Sequence, residues 1–232
     1  MHKRPKLVVL SGAGISQESG VATFRGAGGL WNGYRIEEVA TPQGFRDNPE
    51  RVLEFYNQRR RQLAEVKPNA GHLALVELEK WFEVNIITQN VDDLHERAGS
   101  ASVLHLHGEL KKVRSTIDPS YVVSWEEDLI LGDLCPRGGQ LRPHIVWFSE
   151  PVPLMVQAAL RAKSADAFVV VGTSLQVYPA ASLAEDARPD IPRFVVDPNP
   201  ELRVGGFEYV REGAVKGLPE LAEKLKKLFG FA

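Results

Sequence analysis

Cysteine is nearly missing from this chain: Cys135 stands alone among 232 residues. No intrachain disulfide can form, and a reducing, cytoplasmic compartment is the simplest expectation. Excess charge is missing too. Lys and Arg number 28 against 30 Asp and Glu, a formal net charge of -2, so bulk charge gives no argument for nucleic acid and leaves only a local patch to consider. No apolar run approaches the ~20 residues of a bilayer-spanning helix, which argues against a membrane partner. The start, Met1-His2-Lys3-Arg4-Pro5, is basic like the head of a signal peptide, but the apolar run Leu7 to Leu10 behind it stops at Ser11 and Gly12, too short for a signal core. Repeats and low-complexity tracts are absent. Few residues precede Lys6 and the chain ends soon after its last expected helix, so no long regulatory extension is expected.

What remains is ordinary globular composition, 44% hydrophobic and 25% charged, enough for one sizeable core with a smaller appended unit. Lys6 to Leu10 reads as a buried strand, as do Val84 to Thr88, Ser102 to Leu106, Ala167 to Val171 and Arg193 to Val196, with Phe207 to Val210 as an edge strand. Helices are predicted over Glu50 to Leu63, with Val52, Tyr56 and Leu63 inward, over Ala70 to Trp81, with Leu73, Val76 and Trp81 inward, and over Asp92 to Arg97 with a stop at Gly99. A last helix is predicted from Leu218 to Phe229, with Pro219 in its first turn. Strands alternating with helices predict an α/β fold, a doubly wound parallel Rossmann-like sheet. Between Glu109 and Arg142 apolar residues thin out and glycines punctuate the chain, which reads as a small excursion before regular pattern resumes at His144 to Phe148. The expected division is a large domain of residues 1–34, 66–108 and 143–232, with a second, smaller domain made from the insertions 35–65 and 109–142.

Chemistry gathers just past three of the strands, in Gly12-Ala13-Gly14-Ile15-Ser16, Gln89-Asn90-Val91-Asp92 and Leu106-His107-Gly108. Carboxyl ends of parallel strands line one crevice where ligands bind. Glycines there let backbone approach a pyrophosphate closely, although a pair of glycines serves equally as a structural turn. Gln17 stands where a dinucleotide fingerprint wants a third glycine, which counts against a hydride-transfer dehydrogenase. Gly172-Thr173-Ser174 and Asp197-Pro198-Asn199 follow two further strands. They suit ribose and adenine, or simple caps and turns. A histidine with an unperturbed pKa of ~6.5 makes His107 a candidate base. His105, two residues earlier, points the other way if the strand persists.

Together these segments, with Phe24-Arg25-Gly26, Val146-Trp147-Phe148-Ser149-Glu150 and His105-Leu106-His107-Gly108, resemble the sirtuin family of NAD-dependent protein-lysine deacylases over nearly the whole chain. The resemblance implies that NAD is consumed as co-substrate, that nicotinamide is released, and that the acyl group ends on ADP-ribose. It implies that Gly12, Ala13, Gly14 and Ser16 lie against pyrophosphate and ribose. Phe24 and Arg25 would cover the nicotinamide ribose, which Gln89 would hold and around which Asn90 would orient groups. Asp92 beside Ile15 would bind the nicotinamide amide, and His107 would act as general base with Asn90 in the catalytic set. Gly172, Thr173, Ser174, Asn199 and Ala214 would contact the adenosine half. Val146, Phe148 and Glu150 would line the acyl-lysine tunnel.

Tyr56 and Arg59 share a helix face and look like the pair that marks sirtuins able to remove acidic acyl groups. Ala40 matches the small residue that widens the pocket in that class. Arginine suits a carboxylate because its planar fork donates twice, whereas an Arg59-Arg60-Arg61 run alone would read as a solvated face. Succinyl and malonyl lysines of proteins are therefore expected substrates beside acetyl-lysine. The chain departs from the family at the structural zinc. Ser115, Asp118 and Gly138 stand with Cys135 where four cysteines are usual, so zinc is not expected even with His144 nearby. Tyr121, Val123, Trp125, Leu129, Leu131 and Leu134 are the expected satellite core there. A mono-ADP-ribosyltransferase and a silent NAD-binding regulatory module are the alternatives on the same fold.

Overall fold

The structure, a computed structural model, describes residues 4–21 and 34–231. The chain opens with β1 (Lys6–Ser11) and one turn of helix, α1 (Gly14–Gln17). Four helices follow: α2 (Ile36–Val39), α3 (Pro42–Asp47), α4 (Pro49–Glu65) and α5 (Ala70–Leu78). Next come β2 (Glu83–Thr88), α6 (Leu94–Ala98) and β3 (Val103–His105), then β4 (Gly108–Ser115), β5 (Val122–Ser124) and β6 (Leu141–Ile145). The last third holds α7 (Met155–Lys163), β7 (Ala167–Val171), α8 (Leu183–Asp186), β8 (Arg193–Val196), β9 (Glu208–Val210) and α9 (Ala214–Leu228). Among the described residues, six strands form a parallel sheet in the order β3-β2-β1-β7-β8-β9, and three form an antiparallel sheet in the order β5-β4-β6. The fold is the expected Rossmann-like sheet with an inserted subdomain.

Alternation along β1 explains the layers. Side chains of a strand point to opposite faces in turn. Leu7 and Val9 face one core with Leu75, Leu78, Leu218, Leu221 and Leu225 of α5 and α9. Val8 and Leu10 face the other with Ala158 and Ala162 of α7 and Leu183 of α8. Both faces of the parallel sheet are therefore covered, as continuous apolar strands require.

Expectations differ from the structure in four places. On α5 the inward residues are His72, Leu75 and Leu78, while Leu73 is 53% and Trp81 37% exposed. The helix ends at Leu78, so Trp81 lies beyond it. α9 starts four residues before Leu218, and Pro219 stands inside it rather than in its first turn. Gly217 explains the earlier start: a Cβ there would lie 2.5 Å from Val196 Cγ1, so tertiary packing against the sheet draws the first turn in despite the proline. The excursion after Gly108 contains ordered strands. A bulge between Glu109 and Val113 breaks the register of β4 with β6, which erases the two-residue period that would reveal it. Leu141–Ile145 pairs with β4 in the small sheet, so the regular pattern near His144 belongs to the insertion and not to the main sheet, and Phe148 lies beyond the strand. In the satellite core Leu129 is buried with Leu53, Val113, Cys135 and Leu141, and Tyr121, Val123 and Trp125 pack beside them. Leu131 and Leu134 are instead exposed.

α5 carries a histidine buried at its amino end. Asn69 accepts Gly71 N–H at 2.9 Å and His72 Nδ1 faces Asn69 N at 3.3 Å, a reciprocal cap. The His72 ring meets His95 at 5.0 Å. Burial pushes His72 down to about 4 and lowers His95 well below the usual histidine range. A depressed folded-state value means the unfolded chain binds more protons once pH falls below ~6.5, so stability drops as pH falls from there toward 4. For His72 the loss amounts to about 3 kcal/mol. Urea midpoints should fall between about pH 6.5 and 5.5, above most carboxylate titration, and His72→Gln should flatten that slope. An unchanged slope in the variant would show that His72 is not the group responsible.

Candidate active site at the carboxyl ends of the strands

Level register places the site. Ser11 pairs with Thr88 on one side and Val171 on the other, Thr88 pairs with His105, and Val171 pairs with Val196. The polar segments that follow these strands emerge on one edge. From β1 the chain goes to β2 and β3 on one side and later to β7, β8 and β9 on the other, so the β1–β7 boundary is the switch point where such sheets open a crevice.

At that boundary the two loops touch. Gly12 N donates to Val171 O at 3.0 Å and Gly14 N to Gly172 O at 2.8 Å. A Cβ on Gly12 would stand 2.6 Å from Thr173 Cβ, and one on Gly14 2.6 Å from Gly172 Cα. The glycines are thus demanded by strand–strand packing as well as by any approach to a phosphate. Ala13 beside them remains half-exposed toward the cavity.

His107 leaves the sheet edge with its ring fixed. Its Nδ1 lies 3.0 Å from Gln89 O. A carbonyl only accepts, so Nδ1 carries the proton and Nε2 keeps its lone pair. Burial lowers its pKa against the pull of that carbonyl, and the ring is neutral and basic near neutral pH. His105, the last residue of β3, faces away from the cavity: its Nδ1 meets Asn90 O at 3.0 Å and its Nε2 meets Glu96 Oε1 at 2.7 Å. Burial opposes its charge, but Glu96 outweighs it and raises the pKa.

Asn90 is held from beneath. Its Nδ2 donates to Gly12 O at 3.1 Å and Ser16 Oγ at 3.2 Å, and its N–H donates to Thr88 Oγ1 at 3.0 Å. Thr88 also accepts from Ser11 Oγ at 2.9 Å, and Ser11 Oγ lies 3.0 Å from His95 Nε2. Asp92 Oδ1 accepts Leu94 N–H at 3.1 Å, and burial raises its pKa. Gln89 Nε2 reaches Thr173 Oγ1 at 3.1 Å, tying β2 to β7.

One cavity of about 420 Å³ runs past Gly12, Ala13, Gly14, Gln89, Asn90, Asp92, His107, Gly172, Thr173 and Ser174, and on to Ala40, Tyr56, Arg59, Val146, Phe148 and Glu150. Ile15 and Ser16 are buried behind its wall. Asn199 is exposed, with Oδ1 taken by Glu201 N–H, and Ala214 is buried at the start of α9; neither lines the cavity. Phe24 and Arg25 lie outside the described residues. The far end of the cavity is built by α4 and the strand end after β6. Tyr56 Oη accepts Trp147 Nε1–H at 2.9 Å. The Arg59 guanidinium lies 3.2 Å over the Phe55 ring and donates to Phe55 O. Burial lowers its pKa to about 10, so it stays cationic. Glu150 is held by Arg142 and Arg114 and accepts Trp147 N–H at 2.8 Å. Phe148 N donates to Ala40 O at 3.0 Å.

Sequence reasoning missed three supports. Trp147 was legible only as part of a motif. Asn57 and Arg60 were hidden in an apparent charge run. Both are buried, and Asn57 exchanges hydrogen bonds with Leu129 backbone at 2.9 and 3.0 Å, while Arg60 donates to Leu110 O and Glu127 O. Their polar type gave no signal, because burial of such groups depends on partners far along the chain.

Comparison with known proteins agrees with this geometry. The Sir2 family model matches residues 12–179. An NAD-dependent protein deacylase of Helicobacter pylori strain J99 is 57% identical over 222 residues, 94% of this chain and 94% of that protein. Among solved structures, a Sir2 homologue variant in complex with ADP-ribose superimposes with a TM-score of 0.89 at 39% identity, covering 99% of this chain and 95% of that one. A Sir2 homologue–NAD complex superimposes at 0.86 with 40% identity, over 97% and 91%.

The small module does not fit the zinc that the resemblance brings with it. Ser115 Oγ donates to Cys135 Sγ at 3.2 Å and accepts Ile117 N–H at 3.1 Å and Asp118 N–H at 3.2 Å. Asp118 binds Ser120 and Arg137, and Gly138 offers no side chain. Among the described residues no group of three or more His, Cys, Asp or Glu is placed to hold a metal. The tight turn persists without one, with Cys135 N on Gly139 O at 2.8 Å and Gly138 N on Cys135 O at 2.9 Å. Protein purified from zinc-supplemented culture should therefore contain far less than one zinc per chain, and its melting temperature should ignore chelators. A one-to-one zinc content that survives mild chelation would refute the assignment.

Proposed function

The chain belongs to the Sir2 family of NAD-dependent protein deacylases, and on that premise we propose that it removes acidic acyl groups, succinyl and malonyl, from protein lysines alongside acetyl. The observation that carries this reading is the shared cavity: the wall that holds a neutral His107 at one end presents a tyrosine hydroxyl and an arginine cation at the other. A cation partly withdrawn from water gains more from an anionic partner than an exposed one does, and Arg59 is such a cation. Ala40, small and buried, leaves room beside them.

NAD, when bound, supplies the ribose carbon that accepts the acyl oxygen and releases nicotinamide. The glycine-lined crevice of Gly12, Gly14 and Gly172, with Ala13 beside it and Ser16 behind its wall, fits its pyrophosphate and the nearby ribose, and we assign Gln89, Asn90 and Asp92 to the nicotinamide half and Thr173 and Ser174 to the adenosine half. The resemblance also sets Asn199 and Ala214 beside adenosine, although neither lines the cavity. His107 Nε2 is the atom that takes up a proton, because Gln89 O holds the ring's other nitrogen protonated. Val146 and Phe148 frame the lysine entry. Residues 35–65 and 109–142 form the small domain in this reading, with the second boundary falling inside β6. The single cysteine supports a cytoplasmic location.

Mass spectrometry of products from NAD with acetyl, succinyl and malonyl forms of one peptide tests the reading directly. Nicotinamide and the matching O-acyl-ADP-ribose are expected from each. ADP-ribose transferred to protein without the O-acyl product would point to transferase chemistry instead. His107→Ala should lower turnover of every acyl peptide by ~10² to 10⁴-fold while the protein stays folded; near-native rates would remove His107 from the reaction. Arg59→Met should lower kcat/KM on the succinyl peptide by at least ~10-fold, the worth of a charge-assisted hydrogen bond, and change the acetyl peptide far less. Equal losses on both peptides would make Arg59 structural and end the acidic-acyl assignment.

A further inference from the structure

Tyr56 sits in the acyl end of the cavity with one hydrogen bond, and that bond has a fixed sense. Indole N–H donates and never accepts, so at 2.9 Å Trp147 Nε1–H takes a lone pair of Tyr56 Oη. The phenolic proton is then directed away from the indole. Among the described residues no group of the chain receives it, and Tyr56 lines the cavity. Burial raises the Tyr56 pKa, so the group is a neutral donor at any working pH.

The indole is immobile. Trp147 is 2% exposed. The Arg142 guanidinium lies 3.3 Å over its ring and the Phe45 ring 5.3 Å away. Arg142 is bound to Glu150 at 2.7 Å and to Ile145 O at 3.0 Å, and Glu150 also holds Trp147 N–H. A chain of contacts therefore runs from a buried ion pair through the tryptophan to one hydroxyl.

We propose that Trp147 is a positioning residue for acyl selection, whose indole N–H turns the Tyr56 hydroxyl into a donor aimed at the carboxylate of an acidic acyl group. The proposal rests on the acidic-acyl reading above. A succinyl or malonyl carboxylate accepts the directed proton and the Arg59 guanidinium together. An acetyl methyl accepts neither, and the hydroxyl it faces stays unpaired in a part-dry pocket. Fixing the donor favours one substrate and disfavours the other. Removing the indole N–H leaves Tyr56 free to turn its proton elsewhere.

A double-mutant cycle decides the matter. On one peptide with succinyl and acetyl groups, Trp147→Phe should lower kcat/KM for succinyl about five- to tenfold, mostly through KM, and change acetyl by less than about twofold. Tyr56→Phe should act alike. The double variant should be no worse on succinyl than Tyr56→Phe alone, since the indole works only through that hydroxyl. Equal losses on both peptides would make Trp147 merely structural, and losses that multiply in the double variant would show that it acts apart from Tyr56; either overturns the proposal. Failure of the underlying reading looks different: wild type without desuccinylation, or Tyr56→Phe and Arg59→Met both leaving the succinyl-to-acetyl ratio untouched, and the proposal falls with it. Should Trp147→Phe not fold, benzothienylalanine at position 147, which replaces the N–H with sulfur in the same shape, gives the same reading.

Discussion

The loops after β1 and β7 meet where no side chain fits, and the site depends on that contact. Gly172 adopts φ +61°, and a Cβ there would stand 2.4 Å from Ile15 N. The Gly14 N–H to Gly172 O bond locks the approach at 2.8 Å. From this point the other strand ends are tied in: Asn90 reaches Gly12 O, and Gln89 reaches Thr173 Oγ1. An alanine at position 14 would push the two loops apart, and the anchors of Asn90 on Gly12 O and of Gln89 on Thr173 Oγ1 would shift with them. The crevice is a consequence of backbone packing before it is a nucleotide site.

Orientation of the base follows from the same edge. Gln89 O, at the end of β2, holds His107 Nδ1, and His107 O, just past β3, accepts Val146 N–H at 2.9 Å. One residue therefore joins the large sheet to the chain just past β6. Its neighbour His105 faces Glu96 on the other side. Two histidines two positions apart thus acquire opposite character: His107 is turned to the cavity with its pKa lowered by burial, and His105 is turned inward with its pKa raised by Glu96. β3 ends at His105 and a turn carries His107, so it is their partners that fix the two rings.

That separation was legible only in part, because the two-residue period on which it was read ends with β3 at His105. The strand ends that line the cavity were legible, since each followed a short apolar run. The loop after β8 was less legible. Asn199 follows a strand as Thr173 does and its Oδ1 closes a local turn on Glu201, and chain spacing does not distinguish a turn from a ligand contact. The insertion was least legible. Its strands carry a bulge, and its core is held by Asn57 and Arg60, which look like surface residues until Leu110, Glu127 and Leu129 are folded over them. Non-local satisfaction of polar groups leaves no periodic trace.

One helix, α4, explains how the insertion stays ordered with one cysteine and how it bears on the far end of the cavity. α4 turns Asn57 and Arg60 toward the small sheet and Tyr56 and Arg59 toward the cavity. Arg60 bridges Leu110 of β4 to Glu127 across the module, a cross-link of hydrogen bonds from a side chain 2% exposed. Buried guanidinium bonds to carbonyls are strong when geometry is fixed and costly when broken. Such a link joins segments of the module far apart in sequence. Because the four residues share fewer than two turns of helix, any shift of α4 against the small sheet also moves Tyr56 and Arg59 at the far end of the cavity. Stability of the insertion and the shape of that end of the cavity are therefore coupled through α4, and substitutions at Asn57 or Arg60 act on both.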